Sequence, residues 1–189
     1  MKLDGMKVAV LVTDGYEPSE LTEPIRALRE AGAETMIVSD HDGQIKGKTD
    51  ADTADVDLTL DAARPEDFGA LMLPGGVKNP DTMRQNEAGV AFVRHFAQSG
   101  KPIAAICHAP WMLIEADAVR GRRMTSYPSL RTDLRNAGAE WIDEDVVTDQ
   151  GTVTSRTPKD LPAFNAKMVE EFAEGTHERA TAGQGSASS

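Results

Sequence analysis

Four short and almost unbroken apolar runs constrain this chain more than anything else in it. They are Lys7-Val-Ala-Val-Leu-Val-Thr13, Glu34-Thr-Met-Ile-Val-Ser39, Ala70-Leu-Met-Leu73 and Ile103-Ala-Ala-Ile106. Runs of this length without polar alternation fit strands buried on both faces, which occur in parallel sheets. The first two enclose a helical pattern. Pro18 suits a first helical turn, Leu21, Pro24, Ile25, Leu28 and Ala31 recur at helical spacing, and Gly32 closes it. Strand, helix and strand form a βαβ unit, so a parallel sheet covered by helices on both faces is expected.

The remaining pattern agrees. Residues 40–55 are polar and read as a loop or small hairpin, and residues 56–61 alternate like a half-exposed strand. Helices are expected over about 87–98, from 109 onward, over 129–137 and over 161–173. Short strands are expected near 121–127, at 146–147 and at 153–155. Residues 6–174 read as one domain, and 175–189, rich in Gly, Ala, Ser and Thr, as a disordered tail.

In such sheets ligands bind beyond the C-terminal strand ends. Three segments meet there: residues 14–17 after the first strand, Pro74-Gly75-Gly76 after the middle one, and Cys107-His108 after the last. Cys107 is the single cysteine of 189 residues, at a strand-to-helix turn whose first N–H groups stabilise a thiolate. Gly75 and Gly76 allow N–H groups to approach a substrate oxygen, and Ala109 offers another. Tyr16, Trp111 and Tyr127 are candidate lining residues, each equally suited to core packing. A lone cysteine is more often a small buried hydrophobe, and Pro-Gly-Gly more often a plain turn. Their coincidence at one rim favours a site.

A single cysteine excludes an internal disulfide and a multi-cysteine zinc site, and fits a reducing compartment. His41, His95 and His177 form no metal-ligand spacing with one another, and no nucleotide-binding glycine loop is present. No metal or other cofactor is expected. A net charge of −11 argues against wide contact with nucleic acid, and no run reaches membrane-spanning length. A cytoplasmic protein is expected.

Asp14-Gly-Tyr-Glu-Pro-Ser-Glu-Leu21, Leu73-Pro-Gly-Gly76, Gly100-Lys-Pro-Ile-Ala-Ala-Ile-Cys-His-Ala-Pro110 and Arg122-Arg-Met-Thr-Ser-Tyr-Pro128 together resemble the PfpI family. These are intracellular cysteine hydrolases, called proteases or deglycases, of the class I glutamine amidotransferase-like superfamily. The resemblance implies an α/β, flavodoxin-like three-layer α/β/α sandwich with a mostly parallel central sheet. It implies Cys107 as nucleophile, Glu17 as the glutamate bonded to its sulfur, and His108 as its neighbour. It also implies homo-oligomers, dimeric or larger, in which a second subunit's acid orients the histidine.

Where family proteases place that glutamate, this chain reads Val77-Lys-Asn-Pro-Asp81, and Asp81 is the nearest equivalent, one methylene shorter. Ala109 stands where glycine is common. The implied activity is therefore a stress-related enzyme acting on small carbonyl compounds, or on glycated proteins or peptides, of the deglycase or cofactor-independent glyoxalase type. A peptidase completed across subunits, or a redox sensor or chaperone without turnover, are the alternatives. A glutaminase is disfavoured, because no His-x-Glu pair follows the cysteine.

Overall fold

The computed structural model describes residues 1–177, and the expected tail beyond them lies outside the described residues. Its centre is a seven-stranded sheet. The strands in chain order are β1 (Lys7–Leu11), β2 (Glu34–Ser39), β5 (Leu58–Thr59), β6 (Ala70–Leu73), β7 (Ile103–Ile106), β10 (Val147–Asp149) and β11 (Thr152–Ser155). Their spatial order is β10-β11-β7-β6-β1-β2-β5, and every pairing is parallel except β10 with β11. Order reverses at β1 and β6, so the crevice expected of a doubly wound sheet opens between their C-terminal ends.

Side-chain alternation divides the core. Val8, Val10, Val12, Met72, Ala104 and Ile106 face the layer made by α1 (Pro18–Glu30) and α6 (Leu161–Glu174). Ala9, Leu11, Leu71, Leu73, Ile103 and Ala105 face the layer containing α3 (Glu87–Ser99), α4 (Pro110–Glu115) and α5 (Arg131–Asn136). A period of two on strands buried on both faces yields a three-layer α/β/α sandwich of the flavodoxin-like kind.

The polar region after β2 is a hairpin of β3 (Gln44–Lys46) and β4 (Thr53–Asp55). The half-exposed strand expected over 56–61 shrinks to the two residues of β5 at the sheet edge. Two elements were not anticipated: α2 (Lys78–Met83), and β9 (Glu140–Trp141) paired with β8 (Arg123–Met124). Both are too short to leave a periodic signal. The stretch from Gly175 to His177, grouped with the tail in the sequence, returns to the body of the molecule. Gly175 adopts φ 80°, and the His177 N–H donates to Gly100 O at 2.9 Å. Among the described residues no helix is long and apolar enough to cross a membrane.

Candidate active site

Cys107 ends β7 with φ 64°, in the left-handed region that a non-glycine residue enters at a cost of about 1–2 kcal/mol. Neighbouring segments hold it there. Its N–H donates to Ser155 O at 3.0 Å, and its carbonyl accepts the Tyr127 N–H at 2.9 Å. The elbow thus presents the thiol at the sheet rim, where it is 7% exposed.

The acid beside this thiol is Glu20, not Glu17. Glu17 caps α1 from outside the helix, stays partly exposed and is ion-paired with Lys48 Nζ. Three residues further, the first helical turn has rotated inward, and Glu20 is fully buried. A Cβ built on Gly75 would lie 2.4 Å from Glu20 Oε1, 2.6 Å from Cys107 Cβ and 2.7 Å from Ile106 O. Only a hydrogen fits between the carboxyl and the cysteine. The Gly75 and Gly76 amides face the carboxyl, yet among the described residues neither oxygen makes a hydrogen bond of ordinary geometry. Burial, and secondarily the charge of Glu17, push the Glu20 carboxyl up to about 8. At neutral pH it holds its proton.

Burial also pushes the Cys107 thiol up, to about 12, with the charge of an ionised Glu20 as the second cause. The helix-terminus effect expected from the sequence does not win, since α4 is only six residues long. Opposing that rise are N–H groups of Gly76 and His108, then the Lys48 cation. Gly76 needs its glycine: φ is 84°, and a Cβ would lie 2.5 Å from Gly15 O. The Ala109 N–H, expected as an oxyanion donor, is already given to Ile106 O at 3.0 Å. The His108 amide takes its place.

His108 Nδ1 lies 3.1 Å from Cys107 Sγ, and its Nε2 lies 3.3 Å from Ser129 Oγ. The ring stacks on Tyr127, centroids 4.6 Å apart, and meets the edge of Trp111. Burial, then the Lys48 cation, lower its pKa, so the imidazole is neutral. It can accept the thiol proton at Nδ1. Asp81 is exposed on α2 and makes no ion pair among the described residues of this chain.

Of the candidate lining residues, Tyr16 is 2% exposed and belongs to the core. Trp111 and Tyr127 do border the site. Trp111 is fixed by Nε1 donating to Asp133 at 3.0 Å, with the Arg84 guanidinium over its ring.

Besides Glu20, sequence reasoning missed three residues. Lys48 arrives from the hairpin loop, and no local pattern marks it. Asn79 is buried and ties the rim together. Its amide donates to Pro74 O and Gly75 O at 3.0 and 3.1 Å, and its carbonyl oxygen accepts the Thr13 N–H at 2.8 Å. Ser129 comes from a short 3-10 turn, Pro128–Leu130, after β8. Glu20 alone carried a readable signal, because helical spacing puts it beside buried Leu21 and Pro24.

The family model that matches residues 6–171 is that of the DJ-1/PfpI family. The chain is 47% identical over 165 residues to Protein/nucleic acid deglycase 2 of Escherichia coli (strain K12), covering 86% of this chain and 95% of that protein. It is 45% identical over 167 residues to General stress protein 18 of Bacillus subtilis (strain 168), covering 87% and 96%. Among solved structures, a two-domain protein of Anabaena variabilis with dj-1/thij/pfpi-like and ferritin-like domains superposes with a TM-score of 0.84 at 36% identity. That match covers 87% of this chain and 47%, about half, of the other.

Proposed function

This chain belongs to the DJ-1/PfpI family, and from that premise we propose that it is a cysteine-dependent enzyme acting on reactive carbonyls and their adducts with amino groups. The observation that carries the reading is the buried Glu20 carboxyl packed against the elbow of Cys107, with a neutral imidazole 3.1 Å from the sulfur.

The thiol gives its proton to His108 Nδ1 as the sulfur attacks an aldehyde carbon. The oxygen that gains charge is met by the N–H groups near Gly76 and His108 and takes the Glu20 proton. With methylglyoxal the product is a hemithioacetal. Glu20, now a carboxylate, removes the C1 proton as the C2 oxygen gains a proton, giving an enediol. A proton then returns at C2 as the O1 hydroxyl gives up its own, leaving a thioester of lactate. Water cleaves that thioester, releasing lactate and restoring the thiol. The sum is addition of one water to the substrate, and no external oxidant or reductant enters. A glycated amine in its hemiaminal form first loses water to an imine. The thiol adds across that C=N bond to give a hemithioaminal, and water then replaces the amine, which leaves with a proton, to give the same hemithioacetal.

Small carbonyl compounds and glycated proteins or peptides are the proposed substrates. The E. coli relative's name extends to nucleic acid, but a net charge of −11 weighs against broad contact with a phosphate backbone here. The proposed setting is a cytoplasmic homo-oligomer without a membrane partner, serving under stress, as the B. subtilis relative's name suggests for that protein. The alternative, a peptidase, needs an acid from a second subunit, for which Asp81, exposed on α2, is the candidate; within the chain the far nitrogen of His108 meets Ser129.

The test is lactate formation from methylglyoxal, and release of amine from its early adducts. Cys107→Ala is expected to reduce both to background. Undiminished turnover in that variant removes the proposal.

A further inference from the structure

A second group of chemically competent side chains lies at the other end of the sheet from Cys107. Glu171 and Glu174 occupy successive turns on one face of α6, and His177 follows after the chain reverses at Gly175. One ligand atom from each lies within 4.8 Å of the others. The 171–174–177 spacing combines two carboxylates with an imidazole, whereas a comparison of histidines with one another passes over it.

The imidazole is positioned by backbone rather than by side-chain bonds. The His177 N–H donates to Gly100 O, and its ring lies where a Cβ on Gly151 would be 2.6 Å from Cδ2. Glycine at 151 is therefore what admits the ring. Nε2 then points between the carboxylates, 3.6 Å from Glu171 and 3.7 Å from Glu174. These separations exceed a hydrogen bond of about 2.7–3.2 Å. Ligands bound at about 2.0–2.1 Å in a tetrahedral zinc site stand roughly 3.4 Å apart, close to both His177 separations, and since the three atoms lie within 4.8 Å of one another, seating an ion draws the carboxylates inward.

Two further observations point to a ligand. Among the described residues, His177 Nε2 is a buried atom with no hydrogen-bond partner. Glu171 is 7% exposed and its carboxyl receives no hydrogen bond among the described residues. A buried nitrogen without a hydrogen bond, aimed between two carboxylates of which one belongs to a buried residue, is costly unless something occupies that point.

We propose that Glu171, Glu174 and His177 form a binding site for a divalent transition-metal ion of the zinc type, which fastens the chain after α6 to the start of β7. One imidazole with two carboxylates suits a borderline ion and leaves a fourth position to water. Two carboxylates and a neutral imidazole balance its charge. The site is separate from the carbonyl chemistry and does not depend on it.

The experiment uses the full chain carrying Cys107→Ala, so that the thiol cannot compete for metal. The protein is stripped with a chelator and titrated with zinc chloride near neutral pH, following heat release and the His177 ring resonances. One equivalent is expected to bind, shift those resonances and raise the melting temperature. His177→Ala and Glu171→Gln should weaken binding at least tenfold and abolish the thermal gain. Glu174→Gln, at an exposed position, should do the same and covers the case in which a buried substitution fails to fold. No binding, a His177 ring that titrates freely in saturating zinc, or equal binding by all variants overturns the site.

Discussion

The Glu20 carboxyl and the Cys107 side chain approach one another across the missing side chain of Gly75, and both contact the point where its Cβ would stand. Each is buried, and an ionised Glu20 raises the cost of a negative charge on Cys107. One proton between them therefore decides whether the sulfur faces a neutral acid or a carboxylate.

Substituting Glu20→Gln keeps the volume and removes proton transfer. Turnover of methylglyoxal is expected to fall about 10²–10⁴-fold, the usual worth of a positioned acid or base. Glu17→Gln, which breaks only a partly exposed ion pair with Lys48, is expected to cost less than about tenfold. Steady-state kinetics on both variants checks the assignment, and a reversed ranking returns the role to Glu17.

Glu20 also links stability to pH. Its folded pKa, about 8, lies above its ordinary value of 4.5, so the folded state binds the extra proton in between. Its contribution is fully present below about pH 4.5 and is lost as pH rises through 8, an effect on the order of 5 kcal/mol. Cys107 titrates above this window. Urea unfolding from pH 5 to 8 should show declining stability in the wild type and a flatter profile in Glu20→Gln.

Gly75→Ala places a methyl group within 2.7 Å of three atoms, two of them in backbone or stem positions that cannot swing aside. Overpacking of this kind costs about 1–3 kcal/mol, equivalent to roughly 3–10 °C in melting temperature at this size. Activity should fall further than stability, because the displaced atoms are Glu20 and Cys107. Calorimetry and kinetics on the folded variant measure the two separately.

Lys48 lowers the pKa of Cys107, Glu20 and His108 alike. Lys48→Met is expected to move the pH midpoint of iodoacetamide alkylation upward, by less than about one unit because the lysine is exposed. A midpoint that moves downward contradicts the electrostatic account.

Asn79→Ala leaves two carbonyls and one N–H without their partner beneath the rim. The expected cost is about 2–4 kcal/mol, with loss of turnover, measured by urea unfolding and steady-state kinetics.

What the sequence made legible follows from length and period. Residues 34–39, 70–73 and 103–106 were read with the boundaries the structure gives, because doubly buried strands leave unbroken apolar runs. The βαβ order then placed Cys107, His108 and the glycine pair on one rim. Glu17 was read as the acid and Glu20 was passed over. Both follow the first strand, and which one turns inward depends on where α1 begins: Pro18 makes Glu17 the cap and leaves Glu20 on the buried face. Lys48 and Ser129 reach the site from distant loops, and no local periodicity encodes such an approach. Tyr16 was an even choice between lining and packing, settled by burial.

The nucleophile's backbone is hydrogen-bonded on both sides, to Ser155 and to Tyr127. Its sulfur is therefore carried by the sheet itself, and travels no more than the sheet does. The hairpin that delivers Lys48 is tied to the same rim, with the Gly15 N–H donating to Lys46 O at 2.7 Å and the Lys48 N–H to Tyr16 O at 3.1 Å. Sulfur, acid and cation are therefore framed by one continuous run of backbone hydrogen bonds, and a change of register in any of the three segments would be felt by all three groups.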